Sequence, residues 1–457
     1  MYRGLILGAA LAFAPLAAQA QQLTETERAD VSAIVQEVLA ASEVPSASIA
    51  IVRGGEIAYA QAYGLADVAA NIPATTETVY GIGSTSKQFT AAAILMLAAE
   101  GRVDIDQPIA WFDPTLTRAN DITLRHLLTH TSGYPDYWPQ DYTFPAMARP
   151  IERSALLDQW ARVPLDFEPG AEFRYANTGY VIAGMMIERL SRRPLRSVLQ
   201  RRIFTPLHMS GVTEINTSRP LNSVGHSRWG LGPIIPSMRE GSGWLTGAGQ
   251  LAMRPTDLAL WNISLMRGGL LSAEQIAALT TPSSLTPASP NYALGMISTT
   301  DHGKRIWSHP GGVTGYTSGN TIYPDEDLAI TVLTNGDYGG GAATILPRLA
   351  FRLREQPAEI ARVRDQLTAF QAGHIDRSLY TANANGFYSD AGVAAVAQSM
   401  APLGPVRGIV LLGSEMRGGF TDELYRIAFA RRSGTAAVRV DPASGLIEEF
   451  NIYFGPP

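Results

Sequence analysis

From Tyr80 the chain reads Tyr-Gly-Ile-Gly-Ser84-Thr-Ser-Lys87-Gln-Phe-Thr, then runs through a string of alanines, Ile94, Leu95 and Leu97 to a stop at Gly101. The helical pattern offers no polar face wide enough for a surface helix, so this helix has to be enclosed on nearly all sides. A chain that builds one must wrap other layers around it. At 457 residues there is material for that, and about 150 residues per domain suggests two or three domains.

The first turn of this buried helix is polar. Ser84 and Lys87 are three apart, which in a helical turn puts them on one face within hydrogen-bonding reach. A serine hydroxyl is a poor nucleophile until a base takes its proton, and a desolvated lysine can be that base because burial favours the neutral amine. The positive end of the helix at Ser84 also favours a developing oxyanion. Spacing alone is weak, since S-x-x-K arises by chance at roughly one position in 400, and an N-cap serine with a solvated lysine is the plain alternative.

Composition removes several function classes. A net charge of −5, with no Lys/Arg run forming a phosphate-binding stripe, argues against a nucleic-acid partner. There is no cysteine, hence no disulfide, thiolate chemistry or Cys-bound metal. Residues 1–20 read as a secretory signal peptide: Arg3, an apolar Leu5 to Ala17, and Ala18-Gln19-Ala20 before Gln21. The apolar run is about 13 residues where a membrane span needs roughly 20. The expected mature protein is periplasmic or secreted, with no stable membrane insertion after signal cleavage.

The rest of the chain supplies the layers. Thr24-Glu-Thr-Glu27 is a capping box opening a helix to about Ala41. Two strand-like runs, 46–52 and 57–63, are joined by Arg53-Gly54-Gly55-Glu56, a hairpin signal. A short helix at 123–130 closes at Thr131-Ser132-Gly133. Its His126 and His130 are four apart, but with no Glu after the first and no third ligand they read as structural, and no metal is expected. Tyr134, Tyr137, Trp138, Tyr142 and Phe144, interleaved with Pro135, Pro139 and Pro145, either line a substrate cleft or cover a core edge.

Helical patterns at 151–161, 178–192 and 195–205 form an all-helical region, residues 225–249 read as irregular loop, and a helix follows near 256–266. Runs at 292–298, 304–309, 315–323 and 328–334, broken at His302-Gly303, Gly311-Gly312 and Pro324-Asp325, predict a strand meander that joins the N-terminal hairpin in one sheet, with a helix at 341–355 packed on it. After Glu355-Gln-Pro357 the character changes to a helix at 360–372, a mixed stretch at 383–398 and strands at 409–412, 424–431, 436–440 and 448–453. The predicted division is a signal peptide at 1–20, a main domain at 21–357 and a small α+β domain at 358–457.

Two later motifs could complete the serine. Phe173-Arg-Tyr175-Ala-Asn177 sets a tyrosine and an asparagine two apart before a helix, where an extended segment points both to one face. Tyr175, as tyrosinate or neutral phenol, could shuttle a proton between Ser84 and a leaving group, and Asn177 could orient Lys87 and bind a substrate carbonyl. His309-Pro-Gly311-Gly312 ends a strand-like run, and the Gly312 N–H could join that of Ser84 in an oxyanion hole. Turn chemistry is the plain account of each motif alone.

In this order the motifs resemble those of the class C β-lactamase-like serine hydrolases, the group that includes penicillin-binding proteins, DD-peptidases, D-aminopeptidases and family VIII carboxylesterases. The likeness spans roughly residues 44–354 and includes Leu127-Leu-Thr-His-Thr-Ser-Gly133. It implies an α+β fold, with a central antiparallel sheet flanked by helices, an additional all-helical region and a small C-terminal α+β domain. It also implies Ser84 as nucleophile, Lys87 and Tyr175 as the acid/base pair, Asn177, His309 and Gly311 as substrate binders, and Ser84 and Gly312 as oxyanion-hole amides. No cofactor is implied. One departure matters: the β-lactamases of the group carry a lysine where this chain has His309, which turns the expectation toward esters, amides or small peptides without a mandatory carboxylate. β-Lactamase or DD-carboxypeptidase action, and a non-catalytic penicillin or peptide binder, remain as alternatives. The last hundred residues are similar, more weakly, to cone-shaped modules attached to some of these hydrolases, with Asp376 and Arg417 expected as a buried structural pair.

Overall fold

The computed structural model describes residues 22–138, 144–217, 220–282, 291–301, 303–354 and 357–455. The predicted signal peptide, Pro139 and Tyr142 of the aromatic loop, the His302 turn position, and Glu355 and Gln356 at the predicted domain boundary lie outside the described residues. Among the described residues no helix is long and apolar enough to cross a membrane.

Seven antiparallel strands form the central sheet. In chain order they are β1 (Ser46–Arg53), β2 (Glu56–Asp67), β3 (Ile72–Pro73), β4 (Ile297–Asp301), β5 (Lys304–Val313), β6 (Tyr316–Tyr323) and β7 (Leu328–Thr334), and in space they run β3-β2-β1-β7-β6-β5-β4. The β1–β2 hairpin turns through Gly54 at φ +64° and Gly55 at φ +78°, the pair of positive φ values that a two-residue type I′ turn demands. β1 and β7 are buried at nearly every position because helices cover both sheet faces.

On one face α1 (Glu25–Ser42), started by the Thr24/Glu27 capping box, and α6 (Gly341–Leu353) bury Val31, Val35, Ile345 and Leu349 against Ile49, Ile51, Ile330 and Val332. On the other lie α2 (Lys87–Ala99) and α5 (Pro255–Arg267), with Phe89 and Trp261 packed 4.8 Å apart in a core shared with Ala50, Val52 and Leu333. α2 is enclosed as its composition requires: every residue from Lys87 to Leu95 is buried. Beyond it sits the helical region, with α3 (Leu124–Leu128) and α4 (Asn177–Ser191) among its members.

The C-terminal unit has its own core. Strands β8 (Val406–Arg417), β9 (Phe420–Phe429), β10 (Ser433–Val440) and β11 (Ile447–Tyr453) form a meander covered by α7 (Ala358–Gln371) and the helix Asp390–Met400, with Phe370, Tyr425 and Phe450 buried between. Glu37 of α1 links it to the rest by pairing with both Arg348 and Arg407.

Three local expectations fail for identifiable reasons. Residues 292–296 are not a strand: Gly295, at φ +76°, turns the chain tightly against α2, where a Cβ would stand 2.9 Å from the Lys87 backbone. His309-Pro-Gly-Gly does not end a strand, because β5 continues through it to Val313, paired with β6 from Trp307 to Val313. Asp376 and Arg417 form no buried pair; both are exposed, Asp376 caps Ser378 at a turn, and Glu423 instead makes a half-buried ion pair with Arg362.

Candidate active site

Ser84 sits on a short 3-10 turn, Gly83–Ser86, that feeds directly into α2. Gly83 has φ +50°, and a Cβ there would lie 2.6 Å from the Gly312 carbonyl oxygen, so only glycine lets the serine turn and β5 meet backbone to backbone. The turn is pinned to the sheet by the Thr85 hydroxyl, 3.2 Å from the His309 carbonyl and 2.9 Å from Ser318, and by Ser318 donating to the Ile82 carbonyl at 2.8 Å. Gly311 packs behind the turn, where a Cβ would stand 2.0 Å from the Ile82 carbonyl oxygen, whereas Gly312 is exposed with open space before it.

Lys87 is fully buried, and its Nζ has three partners: Asn177 Oδ1 at 2.7 Å, the Ala248 carbonyl at 2.9 Å and Ser84 Oγ at 3.1 Å. Burial lowers its pKa from 10.5 to about 7, against an opposing pull from Asp136. A neutral amine has two N–H groups and one lone pair. Asn177 Oδ1 and the Ala248 carbonyl can only accept, so they take both hydrogens and leave the lone pair for the Ser84 hydroxyl. This arrangement can draw the proton from Ser84.

Tyr175 lies on the same side, its ring 4.9 Å from Nζ. Its hydroxyl is buried with no partner in regular hydrogen-bond geometry, and burial pushes its pKa up against a smaller downward pull from Ser84. At neutral pH it is therefore a phenol that can donate a proton. Of the two forms open at the level of sequence, tyrosinate is the one burial disfavours.

His309 is buried, with Nε2 2.9 Å from the Tyr292 hydroxyl and Nδ1 2.6 Å from the Pro310 carbonyl. Burial, then the Lys87 charge, lowers its pKa to about 3. A neutral ring with both nitrogens engaged supplies no cation. His126 accepts from the Thr123 amide in the cap of α3, and His130 stacks 4.2 Å from Tyr175, with Nδ1 3.2 Å from the Ala176 backbone. Among the described residues no group of metal-ligating side chains is found.

Three participants carry no sequence signal strong enough to find. The Ala248 carbonyl is a backbone atom, and Tyr292 reaches His309 through a turn that reads as strand. Asp136, the single acid of Tyr134-Pro-Asp-Tyr137, accepts from the Asn177 amide at 2.8 Å and from Asn177 Nδ2 at 3.2 Å. The rest of the aromatic stretch divides: Tyr137 packs with Trp160 and Trp244 in the core, while Phe144 is exposed.

The sequence matches the family described as Beta-lactamase over residues 31–355. Protein flp of Staphylococcus aureus strain N315 is 28% identical over 331 residues, covering 69% of this chain and 64% of that protein. The chain thus spans under two thirds of the length of such curated relatives. Penicillin-binding protein 4* of Bacillus subtilis is 25% identical over 299 residues, 62% of this chain and 66% of that protein. A D-stereospecific amidohydrolase from Streptomyces sp. superposes with a TM-score of 0.59 at 27% identity, over 69% of this chain and 97% of the other. The octameric penicillin-binding protein homologue from Pyrococcus abyssi shares the fold over 95% of this chain and 97% of its own, with a TM-score of 0.63 at 22% identity.

Proposed function

This chain belongs to the beta-lactamase family, and from that premise we propose that it is an exported serine hydrolase that forms an acyl-enzyme on Ser84 and hydrolyses esters or amides, as a carboxylesterase or small-peptide peptidase. The observation that carries the reading is the buried Lys87 amine, whose Nζ lies 3.1 Å from Ser84 Oγ with its two other partners able only to accept, which leaves its lone pair to the serine hydroxyl. As the Ser84 Oγ–carbon bond forms, its proton passes to Lys87 and the carbonyl oxygen becomes an oxyanion held by the Ser84 and Gly312 amides. Collapse breaks the bond to the leaving group, which takes a proton from Lys87 through the Tyr175 hydroxyl. Water then attacks the acyl carbon, gives its proton to the same base, and Ser84 departs with a proton restored.

The substrate class follows from His309. A neutral imidazole with both nitrogens engaged offers no counter-charge to a carboxylate, which favours esters and amides over substrates that present one. The Streptomyces amidohydrolase is D-stereospecific by name, so D-amino-acid amides belong in the first panel. Export rests on the pattern of residues 1–20, and a mature N-terminus at Gln21, read by mass spectrometry of the secreted protein, is its test.

Replacing Ser84 with Ala should abolish turnover of p-nitrophenyl butyrate and of D-alanyl p-nitroanilide, and the wild type should show an acyl mass shift confined to the Ser84 peptide. Unchanged turnover by the variant would remove Ser84 from the mechanism.

A further inference from the structure

The amide of Asn177 has two orientations of equal shape, and only one serves the chemistry. With Oδ1 toward Lys87 the lysine hydrogens are absorbed and its lone pair is free for Ser84. With Nδ2 toward Lys87 two donors collide, and the amine would turn its lone pair on the asparagine instead. Asp136 distinguishes these states. Its Oδ1 lies 2.8 Å from the Asn177 backbone N and 3.3 Å from Nδ2, and its Oδ2 is 3.2 Å from Nδ2. It also takes the Trp138 amide at 3.2 Å. In each of these contacts the acid accepts, as a carboxylate does; burial raises its pKa, and these donors together with the Lys87 charge pull against that rise. A flipped amide would face Oδ1 against this carboxylate, in a buried place where unrelieved repulsion is costly.

We propose that Asp136 is a positioning residue for the hydrolysis: it fixes the Asn177 amide so that the Lys87 amine is aimed at Ser84, and it places a carboxylate one side chain away from that amine. The proposal rests on the reading of Ser84 and Lys87 given above. The titratable groups facing Lys87 are Asp136 from the loop after α3, His130 at the end of that turn, Tyr175 and Tyr180 before and within α4, and His309 on β5. Both histidines are held neutral by burial, and both tyrosine hydroxyls are pushed up. Asp136 is thus the acid of this set whose charge opposes the desolvation of Lys87.

The charge and the clamp make separable predictions. D136N keeps the shape but removes the charge and offers Asn177 an amide that can hydrogen-bond in either orientation. The plateau of kcat for p-nitrophenyl butyrate should fall about tenfold or more. The acidic limb of kcat/KM should move down by about one pH unit, because an uncompensated buried amine loses its proton sooner. D136E, which keeps the charge but shifts the carboxylate, should leave the limb in place and give a plateau between wild type and D136N. In a double-mutant cycle with N177A, the two losses should be strongly non-additive.

An unmoved limb in a D136N protein of wild-type melting temperature would overturn the proposal. So would an upward shift, which signals a pocket opened to water. If D136N does not fold, D136E decides: wild-type turnover there rejects the clamp. An active S84A enzyme rejects the acyl-enzyme reading itself and is scored separately.

Discussion

In the mechanism proposed for this chain the protonation of Lys87 governs activity, and its shifted pKa also makes stability depend on pH. Its folded pKa of about 7 predicts that kcat/KM rises with pH through a limb near that value. The stability effect has a definite sign. Between pH 7 and the ordinary value of 10.5 the unfolded chain keeps the lysine proton and the native chain does not, so native stability rises with pH across this window. Below pH 7 both states carry the proton and the full cost of burying the charge is present. The melting temperature of wild type relative to K87M should therefore climb from pH 6 to pH 9; a constant difference would mean that the amine is solvated. At Gly83 the prediction is steric. A methyl group at φ +50° and 2.6 Å from Gly312 O should separate the serine turn from β5, so G83A should lose at least about 1 kcal/mol and most activity, measured by melting and ester hydrolysis. The S-x-x-K spacing was legible because it is local. What was not legible is the third hydrogen-bond partner of Lys87, the Ala248 carbonyl, and the charge of Asp136 standing behind Asn177, since both come from other segments of the chain.

At the scale of elements, α2 is the central pillar. Phe89 lies 5.4 Å from Phe204 and 4.8 Å from Trp261, and Trp261 Nε1 donates to Gln88 Oε1 at 2.9 Å. F89A should cost about 3–5 kcal/mol in chemical denaturation, with the remaining folded protein losing activity as the helix start shifts. A cost under about 1 kcal/mol would show that the core collapses around the cavity without loss. The burial of this helix, the capping box of α1 and the β1–β2 turn were readable because each is a short-range pattern. The 292–296 segment was misread because Gly295 turns the backbone tightly against the start of α2 while Leu294 and Met296 join the main core, and the positive φ that makes this possible leaves no mark on the sequence period.

At the scale of the molecule, the two-faced sheet and the C-terminal meander have separate cores joined in part through Glu37. A chain ended at Arg354 should hydrolyse p-nitrophenyl butyrate within about threefold of the full protein, as a unit with its own core can. A far larger loss would give the meander a part in catalysis.

The sequence by itself determined that a helix buried on all sides begins with a serine and a lysine one turn apart, and that Tyr175, Asn177 and His309 accompany them in order. Those are facts of spacing and composition. Only the tertiary structure decided their chemical state. Desolvation lowers the Lys87 pKa to about 7, keeps Tyr175 a phenol and leaves His309 without charge, and these follow from what long-range packing brings around each group. Proton affinity depends on the dielectric and partners of a site, and the hydrogen-bond partners of Lys87 come from residues up to 161 positions away along the chain.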